Sequence, residues 1–168
     1  MNDLDILEDI GRAEDFETLI TLINDAYTVE NFFKCRARVR LDELKEYFKK
    51  GQFLLARSRN TNEIVGSVFV ELVRDEDADG MLKGFLQMLS VSPKFQKMGL
   101  GKWLIQTAER YAKSKGATIM ELCIVNQRDD LKTLYPRFGY IPTGKTEPYI
   151  DPTCVKFPCS FEYYNKPI

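Results

Sequence analysis

The sequence predicts an α/β (α+β) fold, a single domain across residues 1–168, and three observations predict it. Strand-like runs and amphipathic helical patterns alternate along the chain. One apolar, uncharged run, residues 85–91, leads straight into a glycine turn and an amphipathic helix. No internal repeat, low-complexity segment or linker divides the 168 residues, a length suited to one domain with a substantial core.

In order, residues 4–10 alternate loosely and suit an edge strand. Residues 13–27 place Phe16, Leu19, Ile20, Leu22, Ile23 and Ala26 on one side of a helix. Residues 28–40 carry Phe32, Phe33 and Cys35 within the basic run 34–40, whose plainer reading is a solvated flank. Residues 41–50 make a short helix that Gly51 ends. Residues 52–58 and 63–74 read as strands joined by the polar turn Arg59-Asn60-Thr61-Asn62. An acidic loop, residues 75–79 before Gly80, leads to the central strand. Ser92-Pro93 stops that strand, and Trp103, Leu104, Ala108, Tyr111 and Ala112 then recur at helical spacing up to Gly116. Residues 117–126 form a buried strand. Asp129 or Asp130 caps a helix over 131–138, where Pro136 removes an amide and ends the regular helix after Tyr135. Residues 140–144 and 155–163 supply the last strands, joined by the long connection 145–154, of a kind that lines sites.

Composition excludes several classes of function. Hydrophobic residues make up 44% and charged residues 29%, as in an ordinary globular protein. Twenty-four Lys and Arg against 25 Asp and Glu argue against a general nucleic-acid or membrane-surface binder. No apolar run approaches a membrane span, and Met1-Asn2-Asp3-Leu4-Asp5 makes no signal peptide, so a cytoplasmic location is expected. Cys35, Cys123, Cys154 and Cys159 lack Cys-x-x-Cys spacing and read as free thiols in a reducing cytosol. With no histidine, Ser-His-Asp and Cys-His nucleophiles and His-ligated zinc are excluded, and no metal is expected. Carboxylates, tyrosine, lysine, backbone and water remain.

The glycine turn narrows the chemistry, because a turn that opens a helix aims unpartnered N–H groups at one point and binds phosphate. A P-loop requires glycine where Gln96 stands and a hydroxyl where Trp103 stands. A Rossmann fingerprint requires glycine at Leu104, and Glu121 opens its strand instead of ending it. The pattern that fits is Gln/Arg-x-x-Gly-x-Gly/Ala, as Gln96-x-x-Gly99-x-Gly101, after a strand ending Leu89-Ser90-Val91. Downstream, Asn126 is followed by Leu134-Tyr135-Pro136-Arg137-Phe138-Gly139-Tyr140. These two stretches resemble the GNAT superfamily of N-acetyltransferases. Many members place seven residues between the Asn and Tyr positions. The step here is nine, shared with a subgroup reading Asn-x-Arg-x-Glu-Leu-x-x-Phe-Tyr.

The resemblance implies a mixed, mostly antiparallel sheet of about seven strands flanked by helices. It also implies acetyl-CoA as co-substrate and direct acetyl transfer to an amine, a small molecule before a protein. Neither nucleic acid nor membrane is implied, and a homodimer is a possible assembly. Gln96, Lys97, Met98, Gly99, Leu100, Gly101 and Lys102 would hold the pyrophosphate, by backbone N–H groups and close approach. Leu89, Ser90 and Val91 would pair with the pantetheine arm as with an added strand, and one of their amides would hold the thioester oxygen. Asn126 ends the strand that splays from this one. Tyr135 occupies the position beside the CoA sulfur and is the expected general acid. The base is absent from its usual places, where Gln87 and Phe85 stand; Glu71, Glu121 or the loop acids would have to act through water. The acids Asp75, Glu76, Asp77 and Asp79 suit a solvated turn or a lure for a cationic amine. The basic run 34–40 lies where the family borders its acceptor site and would face an anionic group there. Two other classes stay open: an acyl-CoA-binding or regulatory module without turnover, and a Rossmann-type nucleotide binder.

Overall fold

The computed structural model describes residues 5–75, 80–150 and 152–168. Residues 76–79, and the side chain of Asp75, lie outside what is described, and the loop read as a solvated turn or a lure falls among them.

Seven strands form one sheet in the order β1-β2-β3-β4-β5-β7-β6. Chain order gives β1 (Ile6–Ile10), α1 (Phe16–Ala26), α2 (Leu41–Lys50), β2 (Gly51–Ser58), β3 (Ile64–Asp75) and β4 (Met81–Val91). Then follow α3 (Leu100–Ser114), β5 (Ile119–Val125), α4 (Asp129–Leu134), β6 (Ile141–Pro148) and β7 (Ser160–Pro167). Neighbouring strands run antiparallel except β4 and β5, which are parallel and joined through α3.

Alternation along the strands sorts the core into two layers. Leu54, Ala56, Val68, Val70 and Leu86 turn to one face, where Leu104, Ile105, Ala108 and Ala112 of α3 cover them. Phe53, Leu55, Phe69 and Met88 turn to the other, against Leu19 and Ile23 of α1 and Leu44 of α2. The seat of α3 depends on Gly84, where an added Cβ would lie 2.7 Å from Ala112 Cβ and 2.6 Å from Met120 Sδ.

Three segments differ from the sequence expectation. The last strand starts at Ser160 and reaches Pro167, because Pro158 cannot donate to a ladder; Val155 instead makes a lone bridge to Lys34. β6 likewise continues to Pro148, through a register shift between Pro142 and Thr146. No side chain caps α4: its N-cap is Arg128, whose guanidinium takes both carboxylate oxygens of Asp130 at 2.8 Å. α4 does end before Pro136, and residues Tyr135–Phe138 form a 3₁₀ turn.

Candidate active site

The site begins where the sheet runs out of rungs. β4 and β5 pair only from Lys83 with Ile119 to Leu86 with Leu122. Beyond that point β4 carries a bulge: Ser67 faces Ser90 and Phe69 faces Gln87, so Met88 and Leu89 together oppose Val68. Met88 adopts φ 51°, a left-handed conformation rarely tolerated outside glycine. Such a bulge bends its strand and sharpens the twist. β5 meanwhile stays laddered to β7 as far as Val125. Residues 87–91 and 123–125 therefore diverge, leaving backbone edges with no strand between them.

A cavity of about 440 Å³ opens in this fork and is lined by Phe85, Gln87, Leu89, Val125 and Tyr135, among others. Of the expected pantetheine-binding residues, Leu89 lines it directly. Ser90 is buried, its Oγ donating to the Met88 carbonyl at 3.1 Å, so only its backbone is available.

β4 feeds the glycine turn. A 3₁₀ turn over Pro93–Phe95 leads to Lys97 at φ 62° and Gly99 at φ 91°, and α3 starts at Leu100. The Gln96 side-chain amide donates to the Val91 carbonyl at 3.2 Å, tying the turn to the strand end. Within α3 the first intrahelical bond is donated by Trp103 N–H to Gly99 O at 3.1 Å, so the N–H groups of Leu100, Gly101 and Lys102 precede it. A Cβ added at Gly99 or Gly101 would meet nothing within 4 Å, which leaves the turn open to close approach. Leu100 is buried and anchors the turn, whereas Lys97, Met98 and Lys102 are exposed. This set of donors, open backbone and nearby ammonium groups fits a pyrophosphate.

Tyr135 is buried against Tyr140, ring centroids 5.8 Å apart in an edge arrangement. Burial pushes its phenol well above the ordinary tyrosine range, so it is a proton donor across the whole working range of pH. Asn126 takes another part: its backbone N–H and side-chain Oδ1 both bond Ser160, at 2.9 and 3.1 Å, fastening the start of β7 beside β5.

The opposite wall comes from the segment after α1, and here the solvated-flank reading holds for Cys35, Arg36, Ala37 and Arg40 but not for Lys34 and Val39. Phe33 and Val39 are fully buried, Lys34 is 6% exposed, and only the remainder of the run reaches solvent. Lys34 Nζ lies 3.9 Å from Glu30, which also accepts from Arg128 at 3.2 Å. Burial, with Arg38 next, draws the Lys34 ammonium down to about 8. Arg38 sits 4.9 Å over the ring of Tyr27, whose phenol burial pushes up to about 12. Tyr47, Tyr149 and Tyr163 complete an aromatic lining. These residues come from four separate parts of the chain, and apart from the basic run no local pattern announces them. Of the carboxylates considered for the base, Glu71 stands behind Gln87, 3.5 Å from its amide, and neither Glu71 nor Glu121 lines the cavity.

Residues 16–140 match the Acetyltransferase (GNAT) family. No curated protein matches the sequence. Among solved structures the chain is similar to an N-acetyltransferase from Staphylococcus aureus Mu50, at 15% identity and TM-score 0.72, over 96% of this chain and 98% of that one. It is similar to ribosomal-protein-alanine N-acetyltransferase from Brucella melitensis at 17% identity and TM-score 0.72, over 96% and 99%. The NatC complex bound to Gag peptide and CoA gives 14% identity and TM-score 0.74, over 98% and 99%. At these identities the likeness is one of fold.

Proposed function

Given that the chain belongs to the Acetyltransferase (GNAT) family, we propose that it moves the acetyl group of acetyl-CoA directly onto a small-molecule amine held in the same cleft. The observation that carries this reading is the stretch 87–91, paired to β3 but without a partner on its β5 side, running into an open glycine turn. Acetyl-CoA supplies an activated acyl group on a thiolate leaving group. The N–H groups of residues 100–102 receive the pyrophosphate, the edge of 87–91 takes the amides of the pantetheine arm, and a backbone N–H near Leu89 holds the thioester oxygen as it gains charge. The amine nitrogen bonds to the carbonyl carbon as the C–S bond breaks. Tyr135 gives its proton to the departing sulfur and recovers one from the amine through water. The cavity volume falls within the range of small-molecule sites, which favours a compact acceptor over a protein chain. We place this activity in a single domain across residues 1–168, working in the reducing cytosol.

Gly101→Asp tests the loop. A carboxylate in the first turn suits the helix dipole, and the space there is open, so the fold persists while pyrophosphate is repelled. Loss of CoA binding by calorimetry, with unchanged thermal unfolding, is expected; full CoA affinity in the folded variant overturns the assignment. A second reading, an acyl-CoA-binding module without turnover, draws support from Gln87 and Phe85 standing where the family often carries its base. Release of CoA with any amine in an acceptor screen removes it.

A further inference from the structure

We propose that the acceptor amine carries a carboxylate, which Arg38 holds inside the cleft; the inference rests on the acetyl-transfer reading above. Arg38 lines the cavity, and its guanidinium covers the face of Tyr27. Its Nε is buried without a hydrogen-bond partner. Among the described residues no carboxylate lies within 4 Å of it, whereas Arg36, Arg128 and Lys34 each have one. Arg36 pairs with Glu43 at 2.9 Å, Arg128 with Asp130 and Glu30, and Lys34 with Glu30. Glu30 acts on Arg38 only from a distance, because Lys34 and Arg128 are its close partners.

The wall thus carries a positive charge without a close anion, partly withdrawn from water at its Nε and facing the cavity. A partly buried guanidinium without a close anion is costly, and a carboxylate matches its planar fork of donors. The phenols of Tyr27, Tyr47 and Tyr149 surround the same guanidinium and offer further donors to an oxyanion. A simple amine would meet like charge here, since its own ammonium form repels Arg38. An amine bearing a carboxylate resolves both problems, the acid meeting Arg38 and the nitrogen directed toward Leu89. Amino acids have this chemistry within the volume available.

The test compares free amino acids with their own carboxamides, scoring CoA release by wild type, Arg38→Lys and Arg38→Met. For the best acceptor, wild type should prefer the acid over its amide by at least about 100-fold in kcat/KM, because a site built for a polar group rejects the analogue lacking it. Arg38→Met should reduce that preference to within about fivefold, chiefly through KM for the acid, and Arg38→Lys should restore part of it. KM for acetyl-CoA should not move. The Met variant removes a partly buried charge with no close anion, so it is expected to fold at an equal or higher Tm. Equal use of acid and amide by wild type, or an equal loss of both in Arg38→Met, overturns the proposal and leaves acetyl transfer standing. If no amine releases CoA, acetyl transfer is what fails. The anion site is then read by thermal shift of the CoA-saturated protein with the same amino acids. Stabilisation confined to wild type supports it, and identical shifts in Arg38→Met overturn it.

Discussion

Replacing Tyr135 with phenylalanine isolates one hydroxyl. The ring is 6% exposed and packs edge-on against Tyr140, so the variant keeps its shape and its neighbours. Among the described residues the hydroxyl has no hydrogen-bond partner, and its whole donor capacity is available to a ligand in the cleft. Deleting it should therefore change stability by less than about 1 kcal/mol, the scale of a single neutral hydrogen bond. Catalysis is another matter. A hydrogen bond to a charged group contributes about 1.5–3 kcal/mol, or roughly 10- to 150-fold in rate, and full general-acid assistance reaches about 10²–10⁴. With no histidine in the chain to substitute, the expected loss in kcat is at least about tenfold. The assay is single-turnover release of CoA, followed by thiol trapping, with acetyl-CoA affinity measured separately and expected to hold. A thioester with a less basic leaving thiol needs the proton less and should shrink the defect. Undiminished kcat under conditions where chemistry is rate-limiting would make Tyr135 a packing residue and send the acid role to water.

Two further outcomes concern stability. Gly84→Ala drives a methyl to 2.7 Å from Ala112 Cβ under α3, overpacking that should cost about 1–3 kcal/mol and lower Tm by about 3–10 °C; an unchanged Tm would mean that α3 is not held by this close approach. Lys34, whose burial draws its ammonium down to about 8, destabilises the fold in full below that pH. As pH rises toward the ordinary lysine value of about 10.4, the unfolded chain holds a proton that the folded one has released, and stability recovers by up to about 3 kcal/mol. Denaturant melts at pH 7, 8.5 and 10 should therefore show wild type gaining on Lys34→Met; parallel curves would refute the depressed value.

What could be read from the sequence was what is local. The glycine turn, the Gly116 stop and the break at Pro136 are each written in a few consecutive residues, and each stands where expected. Tyr135, singled out by a short motif, is found in the cavity wall. The last strand was misplaced because Val155 and Phe157 favour extended backbone, while Pro158 decides where a ladder can start. Asp130 does not cap α4, because its carboxylate is held by the Arg128 guanidinium. The charged wall was illegible for a different reason. Glu30 and Arg128 meet across 98 positions, and nothing in either neighbourhood names the other. Once that pair forms, Glu30 is occupied and Arg38 is left over, a property of the assembled fold that no window of sequence contains.

The divergence of β4 from β5 has a mechanical consequence. Four residue pairs join the two halves of the sheet there, the shortest ladder in it, and acetyl-CoA is expected to lie along the same line. A ligand that bonds to residues 87–91 acts as a splint across that line, and the bound form should exchange its amide hydrogens there more slowly than the free form. The same bonds must be surrendered each time CoA departs. Affinity gained by a better splint is then paid back in slower release, and turnover should peak at an intermediate grip.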